Sequence, residues 1–233
     1  MTGTAGKRAA AAAAVALVED GMTLGLGTGS TAAIFVDLLA ERIAADGIGV
    51  LGVPTSVVTA GQAGSLGIPL TTLDAVDRLD LTVDGADEVD GSLTLIKGGG
   101  GALLCEKIVA AASDRMVVIA DPSKKVDTLG NFALPVEIVR FGAAATERRV
   151  AACLERQDVG ARRMSRRRNQ GGVFVTDEGH EIVDLSLERI GDAEALHAAL
   201  LDLPGVVETG LFIGIADTVL IGRDDGQVDR YDR

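Results

Sequence analysis

Cysteine and aromatic residues are scarce in this sequence. Its 233 residues include only Cys105 and Cys153, too few for a disulfide framework and without the CxxC spacing of structural zinc sites. Tryptophan is absent and aromatic residues make up 3% of the chain, so surfaces on which nucleic-acid bases stack are poorly supplied. The shortage of cysteine favours a reducing, cytoplasmic compartment.

Long apolar runs are also missing. No stretch approaches the ~20 apolar residues that a membrane-crossing helix needs. The alanine run at 9–14 follows Lys7 and Arg8, as in a secretory signal, but it soon ends in Glu19 and Asp20. We therefore expect a helix at the start of the chain and no membrane partner.

Positive charge is limited, because 22 Lys and Arg face 34 Asp and Glu, for a net charge of -12. Such a surface argues against a nucleic-acid partner, since phosphate contacts need clustered basic residues. The exception is residues 161–170, which hold five arginines. A solvated face or mobile loop is the favoured interpretation there, and an anionic partner is the alternative.

Strand-like and helix-like segments alternate along the first 130 residues, and 47% of the chain is hydrophobic, enough for a full core. This alternation predicts an α/β protein with a Rossmann-like parallel sheet covered by helices on both faces. Strands are predicted at 22–27, 48–54, 69–73, 79–87 and 115–121, and helices at 30–47, 56–67 and 101–113. Ligands of such sheets bind at the carboxyl ends of the strands.

The pattern changes near Pro135. A helix at 143–156, a hairpin at 171–187 that turns at Asp177–Gly179, and a helix at 192–204 predict a small α+β, ferredoxin-like domain. The segment 210–226 returns to strand character and is expected to rejoin the first sheet. The predicted domains are therefore 1–132 plus 206–233, for catalysis, and 133–205, as a lid or oligomerisation domain.

The segment "GLGTGSTA", residues 25–32, follows a strand and opens a helix, where backbone N–H groups and the helix dipole attract anions. Ser30 stands where a dinucleotide fingerprint needs its third glycine, and no GK[ST] follows as in a P-loop. Hydroxyls of Thr28, Ser30 and Thr31 suit a small terminal phosphate. A tight turn capped by Ser30 is the alternative.

Two further segments lie close together in the sequence. "DGADEVDG" offers Asp84, Asp87, Glu88 and Asp90, a group of neighbouring carboxylates that suits acid–base work, although a solvated acidic turn is the alternative. The spacing does not fit a calcium loop, and no histidine is nearby for a transition metal.

"IKGGGGALLCEK", residues 96–107, sets four glycines between a lysine and a predicted helix. Glycines at 98–101 can adopt positive φ and leave room for a ligand, and Lys97 beside them can stabilise an oxyanion. Glu106 lies one helical turn past Ala102 and can point back as a general base. An exposed helix surface made by Glu106 and Lys107 is the alternative.

With "GLGTGSTA", "VDGADEVDG", "LIKGGGGALLCEK" and "IADPSKKVDTLG" in this order and spacing, nearly the whole chain resembles ribose-5-phosphate isomerase of the A type. The resemblance implies interconversion of D-ribose 5-phosphate and D-ribulose 5-phosphate through an enediolate in the non-oxidative pentose phosphate pathway. It implies no metal and no organic cofactor, and a homodimer or homotetramer. Glu106, Asp84, Asp87 and Lys97 are the implied catalytic residues.

The resemblance also implies a substrate-binding set that takes the phosphate and the sugar hydroxyls, with Lys7 as a less certain phosphate contact. Its members are Thr28, Gly29, Ser30, Thr31, Asp84, Gly85, Ala86, Asp87, Lys97, Gly98, Gly99, Gly100 and Lys124. The match weakens in the small domain, at the basic segment and at His180, where we expect asparagine; His180 is interpreted as a turn residue.

Two other functions share some of these features. A regulator that senses sugar phosphates needs no base at Glu106 and should carry a DNA-binding segment, which the sequence lacks. An acyl-CoA transferase also uses a glutamate near glycine-rich loops, but it needs more room for CoA than this short chain provides.

Overall fold

The computed structural model describes residues 3–233, which form two compact units. The first comprises the chain up to Ala86, Cys105–Lys125 and Gly214–Arg233, and the second comprises Asp87–Leu104 and Val126–Ile213. This division differs from the boundaries expected at 132/133 and 205/206, because the second unit also takes in 87–104, 126–132 and 206–213. The separate roles of the two predicted domains stay a prediction.

The described residues form helices α1 Thr4–Val15, α2 Ser30–Asp46, α3 Val57–Ser65, α4 Leu103–Ala111, α5 Ala143–Leu154 and α6 Ala193–Leu201. Their strands are β1 Thr23–Leu26, β2 Leu51–Pro54, β3 Leu81–Gly85, β4 Glu88–Val89, β5 Leu95–Ile96, β6 Met116–Ala120, β7 Leu134–Ile138, β8 Arg163–Arg166, β9 Arg168–Asn169, β10 Gly172–Val173, β11 Glu181–Ser186, β12 Val206–Thr209, β13 Leu211–Phe212, β14 Thr218–Gly222 and β15 Val228–Asp232. No helix within residues 3–233 is long and apolar enough to span a membrane.

A six-stranded sheet of order β15-β14-β6-β3-β1-β2 is the centre of the first unit. Its neighbours pair in parallel except at the edge, where β14 and β15 are antiparallel. The α/β fold with a mostly parallel sheet is therefore confirmed, and so is the return of the C-terminal segment to this sheet. The carboxyl ends of β1 and β3 lie side by side, because Leu26 is paired with Val83.

The two faces of this sheet pack against different helices. Leu24 and Leu26 share a buried core with Phe35 of α2 and with alanines of α1. A side chain at Gly25 would lie on the opposite face, because side chains alternate along a strand. A Cβ built there would overlap Thr82 and lie 2.7 Å from Val109 of α4. Helix α4 therefore covers the face that carries Thr82 and, two residues later, Asp84.

The second unit contains an antiparallel sheet of order β12-β7-β11-β8, as expected for an α+β unit. Buried residues of α5 and α6, including Val150 and Leu200, belong to the same core as this sheet. The unit also holds a three-stranded sheet, β13-β5-β4, and the pair β10-β9.

Two strand predictions were wrong. The segment 69–73 makes only an isolated bridge from Leu70 to Gly52 before a 3-10 turn begins at Leu73. The hairpin at 171–187 does turn near Gly179, whose φ is 82°, but it is reduced to a bridge between Val175 and Glu181. The ladder partners of β11 are β7 and β8, which lie farther away in the sequence.

Candidate active site

The loop after β1 is built for a close approach to β3. The Gly27 N–H donates to the Val83 carbonyl at 3.0 Å, and a Cβ at Gly27 would overlap the carboxylate of Asp84. Gly29, with φ 116°, is the N-cap of α2, so Ser30 and Thr31 are its first helical residues. Among the described residues, no side chain caps this helix start, so the Ser30-capped turn is wrong and the N–H groups suit an anion.

The hydroxyl of Thr28 belongs to a cluster that the sequence did not reveal. Thr28 Oγ1 lies 2.7 Å from Thr55 Oγ1, 2.8 Å from Ser56 Oγ and 3.1 Å from Thr59 Oγ1. Thr59 Oγ1 in turn donates to the Gly27 carbonyl at 3.0 Å. These contacts tie the loop to the start of α3 and fix its conformation. The motif "PTSVVT" contains these hydroxyls, but only the pairing of β1 with β2 shows where they converge.

Two lysines lie at the same end of the first unit. Lys7 Nζ donates to Ser30 Oγ at 2.9 Å, which places a cation beside the first turn of α2. Lys7 and Lys124 line one cavity of about 460 Å³, together with Asp121 and Asp224. The two carboxylates balance the two cations of this cavity, so the features that favour an anion are the N–H groups and dipole at the start of α2, with Lys7 beside them.

Asp84 is the last side chain of β3 on the α4 face of the sheet and is fully buried. Its Oδ1 accepts from the N–H groups of Thr28 at 3.1 Å and Gly85 at 2.7 Å. Gly85 ends β3, and Ala86 is the last residue of that segment of the first unit. Backbone donors thus hold the carboxylate in one position, as an acid–base group requires.

Glu106 is also buried, with 3% of its surface exposed. It lies on α4 three residues before Val109, so both side chains share one face of the helix. That face covers the sheet surface carrying Thr82 and Asp84, and Ser113 Oγ, two residues after the end of α4, lies 2.6 Å from Thr82 Oγ1. An exposed surface pair with Lys107 is therefore wrong, and the carboxylate is shielded from bulk solvent.

The remaining predicted catalytic residues lie in the second unit. Lys97 follows β5 and is 2% exposed, and its Nζ lies 5.5 Å from the centre of the Phe212 ring. The Asp87 N–H donates to the Ile96 carbonyl at 2.8 Å, and Asp87 Oδ2 accepts from the Gly99 N–H at 2.8 Å. The structure thus brings Asp87 to the glycine run.

The glycines at 98–101 form a turn in which the Gly101 N–H donates to the Gly98 carbonyl at 3.0 Å. Gly98 and Gly101 have φ values of 103° and 86°, so side chains would strain the backbone there. Position 99 requires glycine for a different reason, since a Cβ built there would lie only 2.7 Å from Asp87 Oδ1. Gly100 lies inside this turn.

Two acidic residues of the "DGADEVDG" segment serve the fold. Glu88 is 3% exposed and accepts from the N–H groups of Gly130 and Phe132 at 2.7 and 2.5 Å. Asp90 Oδ1 accepts from the N–H groups of Ser92 and Thr94 at 2.9 and 3.0 Å. The interpretation as a solvated acidic turn fits neither Asp84 nor Glu88, both of which are buried.

The arginine-rich segment contains strands β8 and β9 rather than a mobile loop, and much of it is exposed, as expected for a solvated face. Arg163 pairs with Glu188, and Arg166 lies 2.7 Å from Glu147 and 3.1 Å from Glu181. The hydrogen bond to Glu147 and the negative charges of Glu147 and Glu181 keep the pKa of Arg166 above its ordinary value, although burial acts in the opposite direction. His180 follows the turn, as expected, and its Nδ1 lies 3.0 Å from the buried Glu137.

The first unit combines a mostly parallel α/β sheet, a loop of the kind that binds phosphate, and buried carboxylates near the carboxyl ends of the strands. Together these features define a class of enzyme that acts on small phosphorylated molecules. The family model of ribose 5-phosphate isomerase A (phosphoriboisomerase A) matches residues 51–226. The chain is 59% identical over 220 residues to ribose-5-phosphate isomerase A of Rhodopseudomonas palustris (strain HaA2), covering 94% of each protein. The chain is also 57% identical over 226 residues to ribose-5-phosphate isomerase A of Nitrobacter hamburgensis, and the match covers 97% of each protein.

Solved structures agree. A D-ribose-5-phosphate isomerase in complex with phospho-erythronic acid superposes with a TM-score of 0.91 at 37% identity, covering 97% of each chain. Ribose 5-phosphate isomerase A of Methanocaldococcus jannaschii gives 0.90 at 38%, covering 97% of this chain and 98% of that one. The chain belongs to the ribose 5-phosphate isomerase A family and is an aldose–ketose isomerase.

Proposed function

We propose that this enzyme works through a cis-enediolate, with Glu106 as the base that carries a proton between C2 and C1. The reaction is the interconversion of D-ribose 5-phosphate and D-ribulose 5-phosphate. Glu106 takes the C2 proton, the electron pair forms the enediolate, and return of the proton to C1 leaves a carbonyl at C2. The burial of Glu106 carries this proposal, because a carboxylate fixed among packed side chains stays aligned with one hydrogen of the bound sugar.

Asp84 and Asp87 are assigned to ring opening and to proton movement at the sugar oxygens. Each carboxylate is oriented by backbone N–H groups, Asp84 by Thr28 and Gly85, and Asp87 by Gly99. The two are three positions apart in the chain, so their Cα atoms are at most about 11 Å apart even in a fully extended segment. The chain itself thus keeps both within the reach of one sugar.

Lys97 and the glycines at 98–100 are assigned to the negative charge that develops on the enediolate oxygens. Lys97 is buried, and a cation removed from bulk water interacts more strongly with a developing anion. In this turn, which is held on several sides, the Gly99 N–H orients Asp87 and the N–H of Gly100 is the donor assigned to the enediolate. Donors fixed before the reaction need no rearrangement when the charge appears.

Ser30, Thr31 and Lys124 are assigned to the phosphate, with Lys7 as a further contact. The uncapped start of α2 and the cavity lined by Lys7 and Lys124 support this assignment. The other predicted binding residues, Thr28, Gly29, Gly85 and Ala86, supply loop backbone beside the sugar. The phospho-erythronic acid of the related structure, a phosphorylated sugar acid, is consistent with a site that takes a phosphate and a short polyol.

The wider setting is a prediction from the sequence and the family. We place the enzyme in the cytoplasm as a homodimer or homotetramer, without nucleic-acid or membrane partners, and give residues 133–205 a role in the lid or in subunit contacts. Sedimentation analysis of the purified protein tests the oligomer, since a monomer at micromolar concentration would exclude it.

Conversion of ribose 5-phosphate in deuterated water tests the proposed mechanism. A base that carries the proton gives exchange of the C2 hydrogen with solvent, and this exchange should stop when Glu106 is replaced. Ribulose 5-phosphate without solvent deuterium, together with turnover that survives the replacement of Glu106, would indicate a hydride moving directly from C2 to C1 and would exclude Glu106 as the carrier.

A further inference from the structure

Arg167 differs from the neighbouring arginines in the contacts that its side chain makes. It lies between β8 and β9, and its side chain is 14% exposed. Its Nε and Nη2 donate to the two carboxylate oxygens of Asp184 on β11, at 2.9 and 2.5 Å. Its Nη1 donates to the carbonyls of Gly98 at 2.8 Å and Gly99 at 3.2 Å. One guanidinium therefore ties the glycine turn to the antiparallel sheet.

Because the peptide bond is planar, the two hydrogen bonds from Arg167 to carbonyls also determine where the neighbouring N–H groups point. In a trans peptide the C=O and the following N–H point in opposite directions. When Arg167 holds the carbonyls of Gly98 and Gly99, the N–H groups of Gly99 and Gly100 must therefore point away from it. The Gly99 N–H does so and donates to Asp87 Oδ2 at 2.8 Å.

A second residue of the same region supports the turn. The Phe174 N–H donates to the Arg167 carbonyl at 3.0 Å, and its ring centre lies 5.9 Å from the guanidinium carbon. That ring fills the space next to Gly101, where a Cβ would overlap it. Arg163, by contrast, is 73% exposed and paired only with Glu188 in the contacts described.

We propose that Arg167 is a positioning residue of the isomerisation, which fixes the Gly99 and Gly100 N–H groups and the carboxylate of Asp87 through the carbonyls of the glycine turn. This inference rests on the proposed function, in which these groups serve the enediolate. Asp184 neutralises the arginine charge and sets the plane of the guanidinium. A lysine cannot replace it, because one ammonium lacks the fork geometry that reaches a carboxylate and two carbonyls together.

The test compares Arg167→Ala and Arg167→Lys with wild type and with the matched control Arg163→Ala. Loss of fixed donors should lower kcat by about 10–100-fold in both Arg167 variants, below the loss of an oxyanion donor itself. The KM for ribose 5-phosphate should change less than about threefold, because the proposed phosphate contacts lie elsewhere in the sequence. The control should stay within about twofold of wild type. A kcat of Arg167→Ala within threefold of wild type overturns the proposal.

Two further measurements separate positioning from stability. Guanidine or methylguanidine added to Arg167→Ala should restore part of the lost kcat, whereas it would not restore the kcat of a variant that is only destabilised. If Arg167→Ala has a wild-type melting temperature and neither compound restores kcat, the result counts against the proposal. If Arg167→Ala does not fold, Arg167→Lys carries the kinetic test.

Binding gives a readout that needs no turnover. Arg167→Lys should bind phospho-erythronic acid about tenfold more weakly but inorganic phosphate as wild type does, because only the acid carries a carboxylate toward the glycine donors. Equal losses for both ligands, or none, overturn the proposal. A wild-type protein without isomerase activity would refute the proposed function, while this comparison would still decide the role of Arg167.

Discussion

Replacement of Glu106 by glutamine tests the centre of the proposed mechanism. Glutamine keeps the size of the side chain and its polarity but removes the base. Since Glu106 is 3% exposed, bulk water has little access to act in its place. We therefore expect kcat to fall by the ~10²–10⁴-fold typical of general-base loss, which corresponds to about 2.7–5.4 kcal/mol of barrier.

The fold should tolerate this change. Glu106→Gln removes a charge from a buried position, and burial of a charge is costly, so the melting temperature should not fall by more than a few degrees. Substrate affinity measured by calorimetry should change little, because the phosphate loop and Lys97 remain. Glu41→Gln is the matched control: its side chain is 66% exposed on α2, and it should keep wild-type kcat.

The kinetic assay is paired with exchange of the C2 hydrogen in deuterated water. Both turnover and exchange should fall together in Glu106→Gln. Glu106→Asp keeps the charge but withdraws it by one methylene, and a misplacement of about 1 Å should cost on the order of 10²-fold. A Glu106→Gln protein that keeps more than about a tenth of wild-type kcat, a barrier change under ~1.4 kcal/mol, would refute the assignment and make Asp84 or Asp87 the next candidate.

The other predictions concern phosphate, metal and pH. Thr31→Ala and Lys124→Ala should chiefly raise the KM for ribose 5-phosphate, because each change removes a contact worth ~1–3 kcal/mol, and should have much less effect on the KM for unphosphorylated ribose. Equal increases in KM for both sugars would show that these residues do not belong to the phosphate site. Activity should survive exhaustive EDTA treatment, and a loss that Mg²⁺ reverses would make Asp84 and Asp87 ligands. Burial raises the pKa of Glu137 above its ordinary 4.5, so this group favours folding most below the unfolded pKa and less as pH rises through the folded one. Glu137→Gln should flatten the fall in melting temperature as pH rises above the ordinary pKa of 4.5, and an unchanged profile would contradict this.

Periodicity was sufficient to predict most of the first unit. The helix predicted at 30–47 is α2 Ser30–Asp46, and the strand predicted at 22–27 is β1 Thr23–Leu26. Such elements are long or strongly apolar, and they are bounded by glycine. The strand predicted at 69–73 failed because propensity does not reveal whether a ladder partner is available, and Leu70 finds only one bridging residue.

The site was predictable to the extent that its residues lie within short motifs. Gly27, Asp84 and Glu106 each have a local signal, namely a glycine after a strand, an acid at a strand end and a glutamate in the first turn of a helix. The hydroxyl cluster around Thr28 and the clamp by Arg167 had none, because their partners lie 17 to 69 residues away. In the sequence Arg167 is one of five similar arginines, and only the strand pairing distinguishes it.

The four consecutive glycines are explained by these distant contacts. Holding four glycines in an ordered turn costs roughly 2–4 kcal/mol relative to alanine, so the turn needs support from outside. Asp87 accepts from Gly99, and Arg167 donates to Gly98 and Gly99; charge-assisted hydrogen bonds of this kind contribute about 1.5–3 kcal/mol each. Those bonds offset the cost, and each of them also aims a peptide group. The contacts that make the turn affordable are therefore the same contacts that fix its N–H donors, which is why its stability and its proposed role in catalysis should be lost together.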